Sequence, residues 1–346
     1  MTFSNNLCKL PGNNPLKIPY IWLKAILRTK KLIIAMNHAI LGTDLSPASD
    51  RIVMNSSEFK YLGIKKITLV YVLNLRSTND FSEYNLDTAQ ETIGRQRKTL
   101  ESKGFEADTR IVMGIPAIEI MRQVKLLDAG LVIIGSAGTT WMKPTLGETA
   151  SEVLHNMKCP VLLISFNKEP DEQMLEEARQ EELHHFEKFV RQFRKQEPKI
   201  ELMHQSINRH VLLTTDFSDF SENAFRWLRD QVAPVPLLTI MHIQDSVRIS
   251  RHLEDKLEEF NRIDTARMER LRDEFRKAHP ESVIQLELGY GNPKELIPKF
   301  IHYSGVTLAV MGSQGRGYLS EFFLGSVSLR VARHATTNLL IIPFRR

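Results

Sequence analysis

Short runs of apolar residues alternate along this chain with longer polar segments in which apolar residues recur at helical spacing. The runs ITLVYVL (67–73) and LLTIMHI (237–243) are apolar on both faces, which is typical of parallel strands covered by helices on each side. The polar segment 249–279 places a set of apolar residues on one helical face, namely Leu253, Leu257, Phe260, Leu271 and Phe275. This alternation predicts the order β-α-β-α-β-α-β-α-β and a doubly wound, Rossmann-like α/β fold with right-handed crossovers.

The same series of elements occurs twice. AILGTDLSPASD (39–50) resembles HVLLTTDFSDFS (210–221), and each reads as a strand ending in Thr-Asp-x-Ser, with Ser46 or Ser218 predicted to cap the following helix. Asp44 and Asp216 are 172 residues apart, whereas later pairs, such as GLVIIGSAG and TLAVMGSQG, are offset by 177. A drift this small fits loop insertions, so we interpret the chain as a duplicated domain in tandem.

The repeat suggests four regions. We predict a basic leader at 1–35, a first domain at 36–168, a helical connector at 169–207 and a second domain at 208–346. The connector has an apolar stripe at helical spacing, which is typical of a helix packed on one domain; a helix for dimerisation or partner binding is the alternative. Two interpretations of the leader stay open: a helix on a membrane surface, or a segment ahead of a true start at Met36, which we favour.

Charge and cysteine content narrow the class of protein. The net charge is +5, but six basic residues precede the first acidic residue, Asp44, and without them 40 basic residues face 41 acidic ones. The body therefore lacks the basic excess of a nucleic-acid-binding protein. No apolar stretch reaches the roughly 18 residues that span a bilayer. The two cysteines, Cys8 and Cys159, form no disulfide or zinc pattern, so we expect a reducing, cytoplasmic location.

A glycine motif follows the strand TLAVM (307–311) in the second copy. Its spacing is Gly312, two residues, Gly315, nine residues, then Gly325 and Ser326 at the start of a predicted helix. We expect these glycines to permit positive φ and to expose main-chain amides to an anion. A helix N-terminus favours phosphate, and the hydroxyls of Ser326 and Ser328 are expected to donate to phosphate oxygens. The spacing matches neither a nicotinamide fingerprint nor a Walker loop; a turn needed only for tight packing is the alternative.

With this motif and the duplicated strands, the chain resembles the universal stress protein (UspA-like) family, whose ATP-binding members carry G-x2-G-x9-G-[ST]. The resemblance implies a five-stranded parallel sheet in each copy and an intrachain pseudo-dimer of the two copies; a homodimer of whole chains stays open. It also implies ATP, with Mg²⁺, in the second domain. The implied pocket consists of Thr215, Asp216, Ile243, Met311, Gly312, Gln314, Gly315, Gly325, Ser326, Val327 and Ser328.

Two residues near this motif need separate interpretation. Arg316 lies inside the glycine loop, where an arginine can contact a phosphate. Asp216 precedes a serine at a strand end, so a simple turn residue is the alternative to a ligand contact.

The first copy departs from the motif. Gly138 is followed by only eight residues before Gly147, and Glu148 stands where the second copy has Ser326. A carboxylate at this point repels phosphate oxygens. We therefore predict that the first copy binds ATP weakly or not at all and serves as a structural or partner-facing half.

The function that follows is ATP binding in the second domain as a regulatory ligand in stress response or signalling. We predict no catalytic residues and no metal-ligating side chains, since the chain offers neither a carboxylate pair for a metal nor a Ser-His-Asp arrangement at meaningful spacing. Two alternatives remain: a scaffold that binds no nucleotide, and a slow ATP hydrolase.

Overall fold

A computed structural model describes residues 37–74, 83–136, 146–165, 206–245, 256–315, 324–334 and 336–344. The first copy contains β1 (His38–Thr43), α1 (Pro47–Met54), a 3-10 helix (Ser56–Leu62), β2 (Lys66–Asn74), α2 (Glu83–Ser102), β3 (Glu106–Gly114), α3 (Pro116–Leu126), β4 (Leu131–Gly135), α4 (Glu148–Asn156) and β5 (Val161–Ile164). The second copy contains β6 (His210–Thr214), α5 (Asp219–Gln231), β7 (Leu237–Asp245), α6 (Leu257–Ala278), β8 (Val283–Gly291), α7 (Pro293–Tyr303), β9 (Leu308–Gly312), α8 (Ser326–His334) and β10 (Asn338–Ile342).

The predicted α/β class and its tandem arrangement are confirmed. Each copy has the expected alternation of strands and helices, and the 3-10 helix after α1 is the one added element in the described part of the chain. The leader and nearly all of the connector lie outside the described residues, so the bounds of the four predicted regions stay predictions. No helix in the described ranges is long and apolar enough to cross a membrane.

All ten strands form one sheet in the order β3-β2-β1-β4-β5-β10-β9-β6-β7-β8. Strands within a copy are parallel, whereas β5 pairs with β10 in antiparallel register, with Leu162 opposite Leu340. The two copies are therefore joined edge to edge as an internal pseudo-dimer. Because the central pair is antiparallel, the carboxyl ends of the two sets of strands point in opposite directions.

The helices cover both faces of the sheet. One buried cluster joins the strands to α1, α2, α5 and α6, and the other joins them to α3, α4, α7 and α8. On α6 the predicted inner face is confirmed for Leu271 and Phe275, which are buried together with Met268, while Leu257 and Phe260 are half-buried. Leu253 lies outside the described residues.

The copies also meet through the 3-10 helix. The main-chain N–H of Ile207 donates to Glu58 Oε2 over 2.7 Å, and that of Ala233 donates to the carbonyl of Tyr61 over 3.2 Å. These bonds connect the first copy to the second on one face of the sheet, beyond the pairing of β5 with β10.

The turn after the first strand is the same in both copies. Ser46 and Ser218 accept hydrogen bonds from the main-chain N–H groups of Ser49 and Ser221, so both predicted N-caps are confirmed. The residue between the aspartate and the cap is left-handed in each copy, with φ of 60° at Leu45 and 58° at Phe217. Because non-glycine residues seldom adopt this conformation, its recurrence shows that both turns impose the same geometry.

Candidate functional site

A cavity of about 500 Å³ opens at the carboxyl ends of β6, β7 and β9 in the second copy. This is the edge at which doubly wound sheets bind ligands. Every predicted pocket residue that the structure describes lines this cavity: Thr215, Asp216, Ile243, Met311, Gly312, Gln314, Gly315, Gly325, Ser326, Val327 and Ser328. Arg316 lies outside the described residues.

The motif glycines are required by close approach. A Cβ on Gly315 would lie 2.5 Å from Asp216 Oδ2, and one on Gly325 would lie 3.2 Å from the Cα of Gln314. A Cβ on Gly312 would lie 2.8 Å from the main-chain carbon of Phe220. None of these three glycines has positive φ, so the expectation of a left-handed conformation was wrong, and what they provide is space for the main chain. Their expected exposure of main-chain amides to an anion stays a prediction.

The first turn of α8 has main-chain amides without a helical acceptor. The first helical hydrogen bond runs from Leu329 N–H to the carbonyl of Gly325 over 2.8 Å. The amides of Ser326, Val327 and Ser328 therefore precede the point at which helical carbonyls become available. These residues line the cavity, and the positive end of the helix dipole lies with them.

The two serine hydroxyls of this turn differ. Ser326 is exposed at the first position of α8, as expected for a donor to a ligand. Ser328 is buried, and its Oγ donates to the carbonyl of Gly312 over 2.9 Å. The expectation that Ser328 offers its hydroxyl to phosphate therefore disagrees with the structure, because that hydroxyl ties α8 to the end of β9.

Asp216 and Thr215 hold the turn after β6. Asp216 Oδ1 accepts from the main-chain N–H of Ser218 over 3.1 Å and from its hydroxyl over 2.5 Å. Thr215 Oγ1 accepts from Phe217 N–H over 3.0 Å and donates to Ser221 Oγ over 3.1 Å. Both residues line the cavity as well, so the turn role and contact with the cavity coexist.

A polar network that the sequence interpretation missed forms another wall. Asp264, on α6, accepts from Gln244 Nε2 over 3.0 Å and from Arg267 Nη1 over 3.3 Å, and its Oδ2 lies 3.5 Å from His242 Nε2. His242 Nδ1 in turn lies 2.7 Å from the carbonyl of Thr215. The sequence did contain a signal for it. Asp264 lies four residues before Met268, on the side of α6 that faces the sheet, where a carboxylate is unexpected.

The first copy has the equivalent cavity, of about 380 Å³. Asp44 repeats the main-chain bond of this turn, since its Oδ1 accepts from Ser46 N–H over 3.0 Å as Asp216 Oδ1 accepts from Ser218 N–H; its hydroxyl donor is Ser49, over 2.6 Å, and not the cap serine. Glu148 begins α4 and lines the cavity. Among the described residues, the charged side chains on this lining are the carboxylates of Asp44 and Glu148. Residues 137–145, which lead from β4 to α4, lie outside the described residues.

Comparison with curated proteins places these features in context. A family model described as the universal stress protein family matches residues 36–165 and 208–343. The chain is 27% identical to a universal stress protein of Methanocaldococcus jannaschii over 165 residues, and this alignment covers 43% of the chain and 92% of the relative. Over 143 residues it is 28% identical to a putative universal stress protein of Staphylococcus haemolyticus, with coverage of 39% and 84%.

Solved structures show the same fold in tandem form. A universal stress protein from Archaeoglobus fulgidus matches with a TM-score of 0.61 and 20% identity, covering 89% of this chain and 98% of that one. A putative universal stress protein from Pseudomonas aeruginosa matches with a TM-score of 0.56 and 15% identity, covering 90% and 94%. Since the family model matches most of the sequence in two regions that coincide with the two copies, this chain belongs to the universal stress protein family.

Proposed function

We propose that the second domain binds ATP as a regulatory ligand in stress response or signalling. The observation that carries the proposal is that the first-turn residues of α8 line a cavity of about 500 Å³ together with Gly312 and Gly315. A cavity of this size suits a nucleotide, and a helix N-terminus with exposed amides suits its phosphates. Ile243, Met311 and Ile297 supply an apolar surface for a base on the same lining.

A bound cation is part of the proposal. The described lining holds the carboxylates of Asp216, Asp245 and Asp264 against one guanidinium, that of Arg267. A triphosphate would therefore enter a site that does not neutralise it, which favours ATP with Mg²⁺ over free ATP. In the described part of the chain no three His, Cys, Asp or Glu side chains cluster as metal ligands, so phosphate oxygens would be the main ligands of the Mg²⁺.

The first domain takes a different part in this proposal. Glu148 lies at the helix terminus where a phosphate would bind, so we assign this domain a structural or partner-facing role. This observation also favours a second candidate for the whole chain, a scaffold that binds no nucleotide. The proposed boundaries remain 36–168 and 208–346, and the proposed location is the cytoplasm.

Nucleotide release and titration test the proposal. Purified full-length protein would be denatured and the supernatant analysed for adenine nucleotide; nucleotide-free protein would then be titrated calorimetrically with ATP and Mg²⁺. We expect about one ATP per chain, because one cavity carries the complete motif. Absence of both released nucleotide and binding would overturn the proposal in favour of the scaffold. Mg²⁺-dependent turnover well above background would replace the regulatory role with an enzymatic one.

A further inference from the structure

The network around Asp264 exists in one copy of the repeat. The inner face of α6 has the series 264, 268, 271 and 275, and that of α2 has the same spacing at 89, 93, 96 and 100. Asp264 thus corresponds to Ala89, which is buried and apolar. On the neighbouring strands His242 and Gln244 correspond to Tyr71 and Leu73. The network of Asp264, His242 and Gln244 therefore lies beside the cavity that has the complete glycine motif. The corresponding residues of the first copy, Ala89, Tyr71 and Leu73, do not form it.

The wall lies at the end of the cavity remote from the glycine motif. The motif follows β9, whereas His242 and Gln244 belong to β7, and β6 lies between these two strands. Two strand spacings separate them, about 10 Å. A nucleotide whose phosphates contact Gly312, Gly315 and the start of α8 would therefore extend its base towards β7 and α6.

The carboxylate of Asp264 is held in place by its neighbours and can still accept hydrogen bonds. Its side chain is 13% exposed, yet it lines the cavity and its oxygens are held by Gln244 Nε2 and Arg267 Nη1. Arg267 is itself placed by the ring of Phe217, 5.3 Å from its guanidinium carbon. Each carboxylate oxygen can accept more than one hydrogen bond, so Asp264 keeps acceptor capacity for a ligand while its orientation is fixed by its neighbours.

We propose that Asp264 is the specificity-determining residue of this cavity and accepts a hydrogen bond from the 6-amino group of a purine base. A 6-aminopurine presents a donor at that position, whereas a 6-oxopurine presents a carbonyl oxygen that a carboxylate repels. Selection of this kind is strong because the wrong base leaves a partly buried carboxylate facing an acceptor. The inference rests on the proposed function, since it names what selects the base of the nucleotide proposed above.

Calorimetric titration of three nucleotides tests it: ATP, inosine triphosphate and 2′-deoxy-ATP, each with Mg²⁺. The full chain and its Asp264→Ala and Asp264→Asn variants would be compared, with thermal melts to establish folding. We expect the wild type to bind ATP at least about ten-fold more tightly than inosine triphosphate, and both variants to reduce this ratio to within about three-fold. Asp273→Ala, on an exposed position of the same helix, is the matched control and should leave the ratio unchanged.

The outcomes separate the two proposals. A ratio that persists in both folded variants overturns the role of Asp264, as does an equal loss of affinity for ATP and inosine triphosphate, which indicates a merely structural residue. Loss of discrimination against 2′-deoxy-ATP alone overturns it in favour of a contact with the ribose. A wild-type protein that binds none of the three nucleotides overturns the proposed function itself, and this inference with it.

Discussion

The two cavities of this chain share a scaffold and differ in a few side chains. Both follow a Thr-Asp-x-Ser turn with a left-handed third residue and a serine cap. They differ at the first residue of the helix after the fourth strand, Glu148 in one and Ser326 in the other. The repeated backbone thus creates a cavity in each copy, while residues at its two ends give the two cavities different charges and hydrogen-bonding groups.

The physical basis of the difference is the helix terminus. Amides in a first helical turn have no helical acceptor, and the positive end of the dipole favours a negative group there. In the first copy the chain supplies that negative group itself through Glu148, whereas the second copy has the neutral Ser326 at this position.

Exchanging this residue should produce the largest effect. Ser326→Glu gives the second cavity the carboxylate of the first, and we expect ATP affinity to fall about 100-fold, or about 3 kcal/mol, through repulsion of the phosphates. Calorimetric titration measures it. Ser326 is a better site for this substitution than Gly325, because Ser326 is exposed and can take a larger side chain. At Gly325 a Cβ would approach the main chain of Gln314, so a loss of binding could come from a steric clash and not from charge.

The reciprocal variant provides the control. Glu148→Ser should change ATP binding little, since the second site is unaltered and the first loop still has a shorter glycine spacing. If Ser326→Glu binds ATP as the wild type does, the difference between the cavities does not lie in this charge.

A second contrast concerns the two outer strands. Glu287 on β8 is 9% exposed, and burial raises the pKa of its carboxyl to about 8. Its counterpart on β3, Arg110, is exposed. Since the pKa in the folded state exceeds the ordinary value, the folded state is penalised as pH rises above about 4.5, and the penalty is complete above about 8.

Glu287→Gln should therefore stabilise the protein, by on the order of 2 kcal/mol at pH 8 and by almost nothing at pH 4. Chemical unfolding at both pH values measures the difference. Arg110→Gln is the matched control on the opposite edge and should have little effect at either pH. Equal stability of Glu287→Gln and the wild type at pH 8 would show that this carboxylate is well solvated.

Much of the architecture could be predicted from the sequence. Strands such as β2 and β7 are continuous apolar runs, and the caps Ser46 and Ser218 follow from residue type and position, so local rules suffice for them. The antiparallel pairing of β5 with β10 was not predicted, because nothing local in either strand selects its partner; the family resemblance implied only a pseudo-dimer of the two copies.

The site was less predictable for physical reasons. The glycine spacing gave the residues around α8, and the family resemblance implied the rest of the pocket. Gly315, however, is required by contact with Asp216, roughly a hundred residues earlier, which spacing alone does not reveal. Asp264 was missed because its significance depends on Gln244 and His242 on a neighbouring strand. The hydroxyl of Ser328 was misassigned because its acceptor, the carbonyl of Gly312, becomes close only when α8 packs against β9.

The smallest predicted effect compares a histidine that both copies carry at the start of their first strand. His210 Nε2 lies 2.9 Å from Thr239 Oγ1, and His38 Nε2 lies 2.8 Å from Thr68 Oγ1. Burial lowers the pKa of His210 to about 4, whereas His38 is less enclosed and its pKa is lowered by burial and then by Lys66. A depressed pKa means that the neutral ring is favoured in the folded state, so stability is lost as pH falls below the unfolded value of about 6.5.

Between pH 6.5 and pH 5.5, His210 protonation should lower the free energy of unfolding of the wild type by about 1 kcal/mol, and the His210→Gln variant should not show this loss. The His38→Gln variant should abolish a smaller loss. Urea unfolding of each variant and of the wild type at both pH values measures the effect. Glu287 contributes with the opposite sign in this range, but its contribution is the same in the variants and the wild type and cancels in the difference. Loss of the hydrogen bonds of His210 to Thr239 and to the Ser304 carbonyl affects stability equally at both pH values, so the difference between the two pH values isolates the titration. If the two variants change the pH dependence of stability equally, the two histidines are equally buried. If neither variant changes it, water reaches both rings and burial does not lower their pKa values.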